Sequence, residues 1–240
     1  MDWNHYMLEE KSPQPPYADL GVINGMVSGI YDLALVPKDT KILSLTMPLK
    51  KYHITYSHYE SLFGNECIEG VCLNEVHVEN LKLLSTLPNL KYLKISNNKQ
   101  ETILDLTPLQ HLKVLILSDI TKVADFSFLF ALEHLKTLYI RDVKQLYDLS
   151  FLSNMTNLQE LFLSNGGMRG VGKPIKSMAP LSTLQQLQYL HFALTVEHKN
   201  YDISPILSLE NLKYLRMLPR YYRNHQLETL QKELPNTIIE

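Results

Sequence analysis

A chain of 240 residues, 45% of them hydrophobic, is long enough to bury one large core or two small ones. Its 23 basic and 25 acidic side chains leave a net charge of −2, which excludes a global field drawing the chain to nucleic acid or an anionic membrane. No apolar run approaches the roughly 18 residues of a membrane span, and two cysteines, Cys67 and Cys72, do not make a disulfide framework.

Residues 1–57 read as an N-terminal arm and cap. Met1-Asp2-Trp3-Asn4-His5 carries no basic region followed by an apolar stretch, so it does not read as a secretory signal, and the expectation is a soluble, cytoplasmic protein. Ser12-Pro13-Gln14-Pro15-Pro16 favours an extended arm. Ile42-Leu43-Ser44-Leu45-Thr46-Met47 and Tyr52-His53-Ile54-Thr55-Tyr56 both alternate. Joined by Pro48-Leu49-Lys50-Lys51, they read as a hairpin-like cap. A degenerate repeat through Leu43 and Leu45 is the competing reading.

Residues 58–220 repeat one frame: leucine, two residues, leucine, one residue, leucine. It recurs as Leu90-Leu93-Ile95, Leu112-Leu115-Leu117, Leu135-Leu138-Ile140, Leu158-Leu161-Leu163, Leu187-Leu190-Phe192 and Leu212-Leu215-Met217. The spacings are 22, 23, 23, 29 and 25 residues. Ile68-Val71-Leu73 adds a seventh strand at the front. This frame and period are the signature of a leucine-rich-repeat solenoid. Before each strand, apolar residues fall every three positions, as in Phe126-Leu129-Leu132, Leu149-Leu152-Met155, Met178-Leu181-Leu184 and Ile203-Ile206-Leu209. That spacing predicts 3₁₀-like or extended turns, with no room for a long helix. Asp125, Asp148 and Asp202 open three of these turns as caps. Residues 221–240 read as a C-terminal cap, with a short amphipathic helix over Leu227–Leu234 and a last strand at Ile238-Ile239.

The run Asp148-Leu149-Ser150-Phe151-Leu152-Ser153-Asn154-Met155-Thr156-Asn157-Leu158-Gln159-Glu160-Leu161-Phe162-Leu163 resembles the repeat of internalin-type and phosphatase-regulator-type leucine-rich-repeat proteins. Asp202-Ile203-Ser204-Pro205-Ile206 is similar to the turn of those repeats. The resemblance implies an α/β solenoid: an arc with a concave parallel β-sheet and short 3₁₀ or helical turns on the convex side. One departure stands out. The family places Asn at the bend after the strand, where here only Asn98 fits. Val76, Ile120, Val143, Gly166, Thr195 and Arg220 take the equivalent sites, so a continuous asparagine ladder is absent.

With the leucines turned inward, the residues between them face out over the sheet. A central column runs Cys72, Lys94, Ile116, Tyr139, Phe162, His191 and Arg216. A second runs Gly70, Tyr92, Val114, Thr137, Glu160, Tyr189 and Tyr214. Ile116, Tyr139 and Phe162 then form an exposed apolar stripe flanked by Tyr92, Val114, Tyr189 and Tyr214 and rimmed by the charged Lys94, Arg141, Asp119, Asp142 and Arg216. Interface hot spots have this composition, although same-face aromatic stacking also stabilises a sheet without any partner. The ten residues Tyr92, Lys94, Ile116, Tyr139, Arg141, Phe162, Tyr189, His191, Tyr214 and Arg216 are the expected partner-binding set.

Chemistry has weaker signals. Gly167-Met168-Arg169-Gly170-Val171-Gly172-Lys173 matches the first seven positions of a phosphate-binding loop, but Pro174 supplies neither the hydroxyl nor the following helix. It reads as an insertion in the one long repeat. Cys67 and Cys72 lack zinc-site spacing and histidine partners, and the nine histidines are scattered. Lys213, Arg216, Arg220 and Arg223 with Tyr214, Tyr221 and Tyr222 form a basic aromatic cluster too narrow for a phosphate footprint. The expectation is a non-enzymatic protein-binding module without cofactor or metal, monomeric on its own. A bacterial immunity protein and a regulatory subunit are the sharper forms. An unrecognised enzyme using the 166–178 insertion with His191, and a self-assembling protein, are the competing classes.

Overall fold

The computed structural model describes residues 25–46, 52–165 and 172–240. The expected arm over residues 1–20, the Pro48–Lys51 joint and most of the glycine-rich stretch 167–173 lie outside them.

One parallel sheet carries the described chain. Its strands are β1 (Met26–Val27), β2 (Ile42–Leu45), β3 (Gly70–Leu73), β4 (Tyr92–Ser96), β5 (Val114–Ser118), β6 (Thr137–Arg141), β7 (Glu160–Ser164), β8 (Tyr189–Ala193), β9 (Tyr214–Met217) and β10 (Ile238–Ile239). They lie side by side in sequence order, so every connection returns to the neighbouring strand. Equivalent frame positions pair: Leu93 with Leu115, Leu115 with Leu138, Leu138 with Leu161 and Leu161 with Leu190. These leucines have no accessible surface. Each buried leucine contributes roughly 1.5–3 kcal/mol, and a shift of register by one residue would turn the whole row outward.

The three-residue spacing of the convex turns is the hydrogen-bond spacing itself. Leu129 N–H donates to Phe126 O at 3.0 Å, Leu132 N–H to Leu129 O at 3.1 Å and Leu135 N–H to Leu132 O at 3.2 Å. The same chain of bonds links Leu149, Leu152, Met155 and Leu158. Each apolar side chain enters the core as its amide closes a 3₁₀-type turn. The acidic caps act as expected: Asp125, Asp148 and Asp202 accept the N–H of Ser127, Ser150 and Ser204 at 2.8, 2.8 and 3.0 Å. Asp105 does the same for Thr107 at 2.9 Å.

Two expectations are corrected. The hairpin cap is not formed. Strand β2 runs parallel between β1 and β3, with Leu43 opposite Val71 and Leu45 opposite Leu73, so it is a further repeat. Thr40 takes its first-leucine place, buried, with its hydroxyl donating to Pro37 O at 2.6 Å. Tyr52–Tyr56 form no strand. Instead the Tyr56 hydroxyl donates toward Thr46 O at 3.0 Å and Ser44 O at 3.3 Å, holding the end of β2. The second correction is a helix within a 22-residue repeat: α1 spans Val78–Thr86, nine residues between β3 and β4. The His77 N–H donates to Asn80 Oδ1 at 3.1 Å, and Leu83 and Leu84 pack inward. Two further helices, α2 (Ser204–Leu207) and α3 (Gln226–Glu233), follow near the C-terminal end. Helix α3 and β10 occupy the places expected for the terminal helix and strand.

The missing asparagine ladder is replaced in three ways. Asn98 has no accessible surface; its Nδ2 donates to Asn74 O at 2.9 Å and its Oδ1 accepts the Gln100 N–H at 2.8 Å. The Gln100 amide in turn accepts the Val76 N–H at 2.8 Å and donates to Val76 O at 3.2 Å. At the other bends Val76, Ile120 and Val143 bury as core residues. The residues preceding the bend, Asn97, Asp119 and Asp142, adopt left-handed backbone at φ 55°, 55° and 52°, a conformation that Asn and Asp tolerate best after glycine. Their turn keeps the strand ladder going: Asn97 N–H reaches Ser118 O at 3.0 Å and Asp119 N–H reaches Arg141 O at 3.1 Å. At the opposite strand end, Asn89, Asn157 and Asn211 donate to Glu66 O, Glu133 O and Gln185 O of the preceding repeat at 2.8, 3.2 and 2.8 Å.

Replacing Asn98 by Ala removes the acceptor of the Gln100 N–H and a donor to Asn74 O and is expected to cost about 1–3 kcal/mol. Leu138→Ala, which opens a cavity mid-array, is expected to cost about 2–5 kcal/mol. Urea unfolding followed by circular dichroism checks both, with the larger midpoint shift falling on Leu138→Ala.

Candidate functional site

The outward columns assemble in the expected register. Opposed pairs are Lys94 with Ile116, Ile116 with Tyr139, Tyr139 with Phe162, Phe162 with His191 and His191 with Arg216. Beside them run Tyr92, Val114, Thr137, Glu160, Tyr189 and Tyr214. The columns also extend beyond the strands read from sequence: Ser44 stands opposite Cys72, and Met26 and Ile42 continue the second column past Gly70. The alternation in Ile42–Leu45 carried that signal once the strand is read as parallel.

Ring stacking follows from the in-register spacing of about 4.8 Å between strands. Phe162 and His191 stack at 4.1 Å between ring centres, Tyr189 and Tyr214 at 4.9 Å, and Tyr139 and Phe162 at 5.2 Å. Stacking of this kind contributes about 0.5–1.5 kcal/mol per pair beyond area burial. The Tyr139 hydroxyl donates to Glu160 Oε2 at 3.4 Å, and the Tyr214 hydroxyl to Glu240 Oε2 at 2.6 Å.

The stripe is not an open patch, which corrects the sequence expectation. Tyr92, Ile116, Tyr139 and Tyr189 each have 0% accessible surface, Tyr214 2% and Phe162 9%. With Ile42, Cys72 and Val114 they form a second hydrophobic cluster, separate from the leucine core. Thr137 and Glu160, polar members of the same face, are also at 0%. Only the rim is reachable: Lys94, Arg141 and His191 are half-buried and Arg216 is exposed. The ten expected residues therefore share one face but divide into a buried aromatic floor and an accessible basic edge.

Burial also sets the chemistry of His191. Desolvation, and then the neighbouring Arg216 cation, push its pKa down to about 4, so the ring is neutral at physiological pH. Desolvation pushes the Tyr214 hydroxyl above its ordinary range, and the Glu240 carboxylate adds to the shift.

The alternative sites do not assemble. After Lys173 the chain runs extended through Ile175, which bridges Val196, and reaches a 3₁₀ turn at Ala179–Thr183. Among the described residues no helix directly follows Lys173, where a phosphate-binding loop needs one. In the basic cluster, Tyr221 is fully buried and its hydroxyl donates to Leu194 O at 3.0 Å. The Tyr222 hydroxyl donates to Glu240 O at 2.7 Å and accepts the Met217 N–H at 2.8 Å. These rings lock the C-terminal cap and offer no platform for bases. Among the described residues no group of three or more His, Cys, Asp or Glu could hold a metal ion, and Asp119 and Asp142 sit in consecutive bends with no enclosing cleft.

Ten parallel strands in sequence order, turned by short 3₁₀ segments on one side and stacked in register, leave one architecture. The fold is a leucine-rich-repeat solenoid. Two solved structures with this fold agree. An internalin C2 of Listeria monocytogenes is 20% identical, with 78% of this chain aligned to 85% of that one at a TM-score of 0.52. A leucine-rich-repeat protein of Leptospira interrogans is 19% identical, with 78% of this chain aligned to 57% of that one at 0.54. The internalin inlF of Listeria monocytogenes is 22% identical over 78% of this chain, at a TM-score of 0.49. The solenoid spans 48% of inlF and 57% of the Leptospira protein. No family model and no curated protein matches the sequence.

A histidine with a lowered folded-state pKa binds its proton more readily when unfolded. The stability it confers is complete above about pH 6.5 and is lost as pH falls toward 4. Between pH 7 and pH 4.5 the wild type is expected to lose roughly 2–3 kcal/mol more than His191→Gln, measured by urea denaturation at the two pH values.

Proposed function

We propose that this protein is a non-enzymatic protein-interaction module that engages a protein partner through the concave face of its sheet. The observation carrying this reading is the register-locked juxtaposition of a stacked aromatic stripe with a basic edge formed by Lys94, Arg141 and Arg216. Aromatic anchors and arginine are the side chains that concentrate binding energy in protein interfaces. A sheet held by leucine rows on one side loses little entropy when a partner docks on the other. The basic edge suits an acidic patch on that partner.

Two narrower elements belong to the proposal. The protein acts in the cytoplasm, a reading supported by Cys67 and Cys72, neither of which is in a disulfide. It works as a monomer that neutralises a toxin protein, in the manner of a bacterial immunity protein.

Affinity capture from source-cell lysate with mass spectrometry tests the reading. Wild type is compared with Arg216→Glu, which changes only an exposed rim side chain, and with Tyr139→Ala/Phe162→Ala, checked for folding by circular dichroism. One protein retained by wild type and weakened about 30-fold in the double variant, a loss of about 2 kcal/mol, is the expected result. Equal capture by all three forms overturns the concave-face assignment.

A further inference from the structure

We propose that the edge of the sheet where strands β5 and β6 begin is an anion site, in which Lys113 and Lys136 hold a phosphomonoester dianion. The backbone ladder brings the residue before each strand into a single column. Lys91 N–H donates to Glu69 O at 2.8 Å, Lys113 N–H to Lys91 O at 2.9 Å, Lys136 N–H to Lys113 O at 2.9 Å and Gln159 N–H to Lys136 O at 2.8 Å. Lys91, Lys113 and Lys136 therefore stand on consecutive strands about 4.8 Å apart, and all three are half-buried. Like charges facing each other across strands destabilise a sheet. At the front of the same column the conflict is avoided, because Lys41 stands beside Glu69 and pairs with it at 3.7 Å. In the middle, Lys91, Lys113 and Lys136 form no ion pair among the described residues, and neither does Glu133 in the adjoining turn. An external anion relieves the repulsion.

The pocket beside the column selects the anion. It measures about 280 Å³ and is lined by Lys113, His134, Lys136, Asn157, Gln159 and Gln186. Among the described residues no carboxylate lines it. The buried end of Gln159 is its Oε1, which leaves the amide donors toward the pocket. Asn157 is held in place by donating to Glu133 O at 3.2 Å. A phosphomonoester carries about −1.5 to −2 charges at neutral pH and three strong acceptor oxygens, which two ammonium groups and the neighbouring amides match. A carboxylate is best met by the planar fork of arginine, and no arginine lines this pocket. Lysine, a compact point charge with rotatable donors, suits a tetrahedral phosphate. The pocket lies at the strand starts, apart from the concave columns, so this inference does not rest on the partner-binding reading.

Backbone amide spectra of the full chain test the site, titrated with inorganic phosphate at constant ionic strength against sodium chloride. Saturable shifts are expected at Lys113, His134, Lys136 and Gln159 and none at Arg216. Lys113→Gln/Lys136→Gln, checked for folding by circular dichroism, should weaken phosphate at least tenfold. Lys213→Gln, three strands further along the same column, and Arg216→Glu should bind it as the wild type does. Added phosphate should raise the urea midpoint of the wild type and leave that of the double variant unchanged. A phosphoserine peptide held at least tenfold tighter than inorganic phosphate places the group on a protein, and equal affinity places it on a small molecule. Shifts no larger than chloride produces, or equal affinity in the double variant, overturn the proposal. So does tighter binding of a single-stranded oligonucleotide than of either monoester, which would make the column a track for phosphodiesters.

Discussion

The leucine rows can be dried only by their neighbours. A single repeat of about 23 residues has one strand and one turn, and alone it would leave Leu135, Leu138 and Ile140 in water. Stacked in register, each row closes the next, and burial runs unbroken from Leu33 to Leu234 as one cluster. Stability in such an array is a sum over interfaces, so the two ends carry the liability. They are closed by different devices. At the front, β2 uses Thr40 in place of a leucine and leans on Tyr56. At the rear, Tyr221 and Tyr222 tie the last turn back to Leu194, Met217 and Glu240, and Leu230 and Leu234 of the terminal helical segment plug the core.

That constraint on the inner side dictates the outer one. Register fixed by leucines places side chains of adjacent strands about 4.8 Å apart, so any aromatic residue between them must stack on its neighbour. The Tyr139–Phe162–His191 stack is thus a consequence of the core. Neutral His191 belongs in that stack, since a cation there would face Arg216 across one strand spacing. The face resembles an interface in composition, while in accessibility its centre resembles an interior. A partner meets a floor of stacked rings only after passing the basic rim.

Much of this was legible in the residues. The leucine frame gave strand positions and facing, and the three-residue spacing gave the convex turns, because both patterns are local and periodic. The columns were therefore correct in register. Three features were not legible. The α1 helix was missed because its repeat has the same length as its neighbours, and Val78–Thr86 lacks the D-x-S/T opening that Asp105, Asp125, Asp148 and Asp202 give to other turns. The asparagine clips at Asn89, Asn157 and Asn211 were missed because they stand before the strand, whereas the resemblance directed attention to the bend after it. Strand β2 alternates equally well as half of a hairpin or as a parallel repeat; only pairing with β3 separates the two.

By itself, then, the sequence determined the repeat, its register and which side chains share a face, since these depend on periodicities of two and three along the backbone. Tertiary structure decided which strand lies at each end, how polar bends are satisfied without an asparagine ladder, and that the aromatic stripe is buried. Burial is a property of what lies above a side chain. No local pattern encodes it, because the covering groups come from elsewhere in the chain or from another molecule.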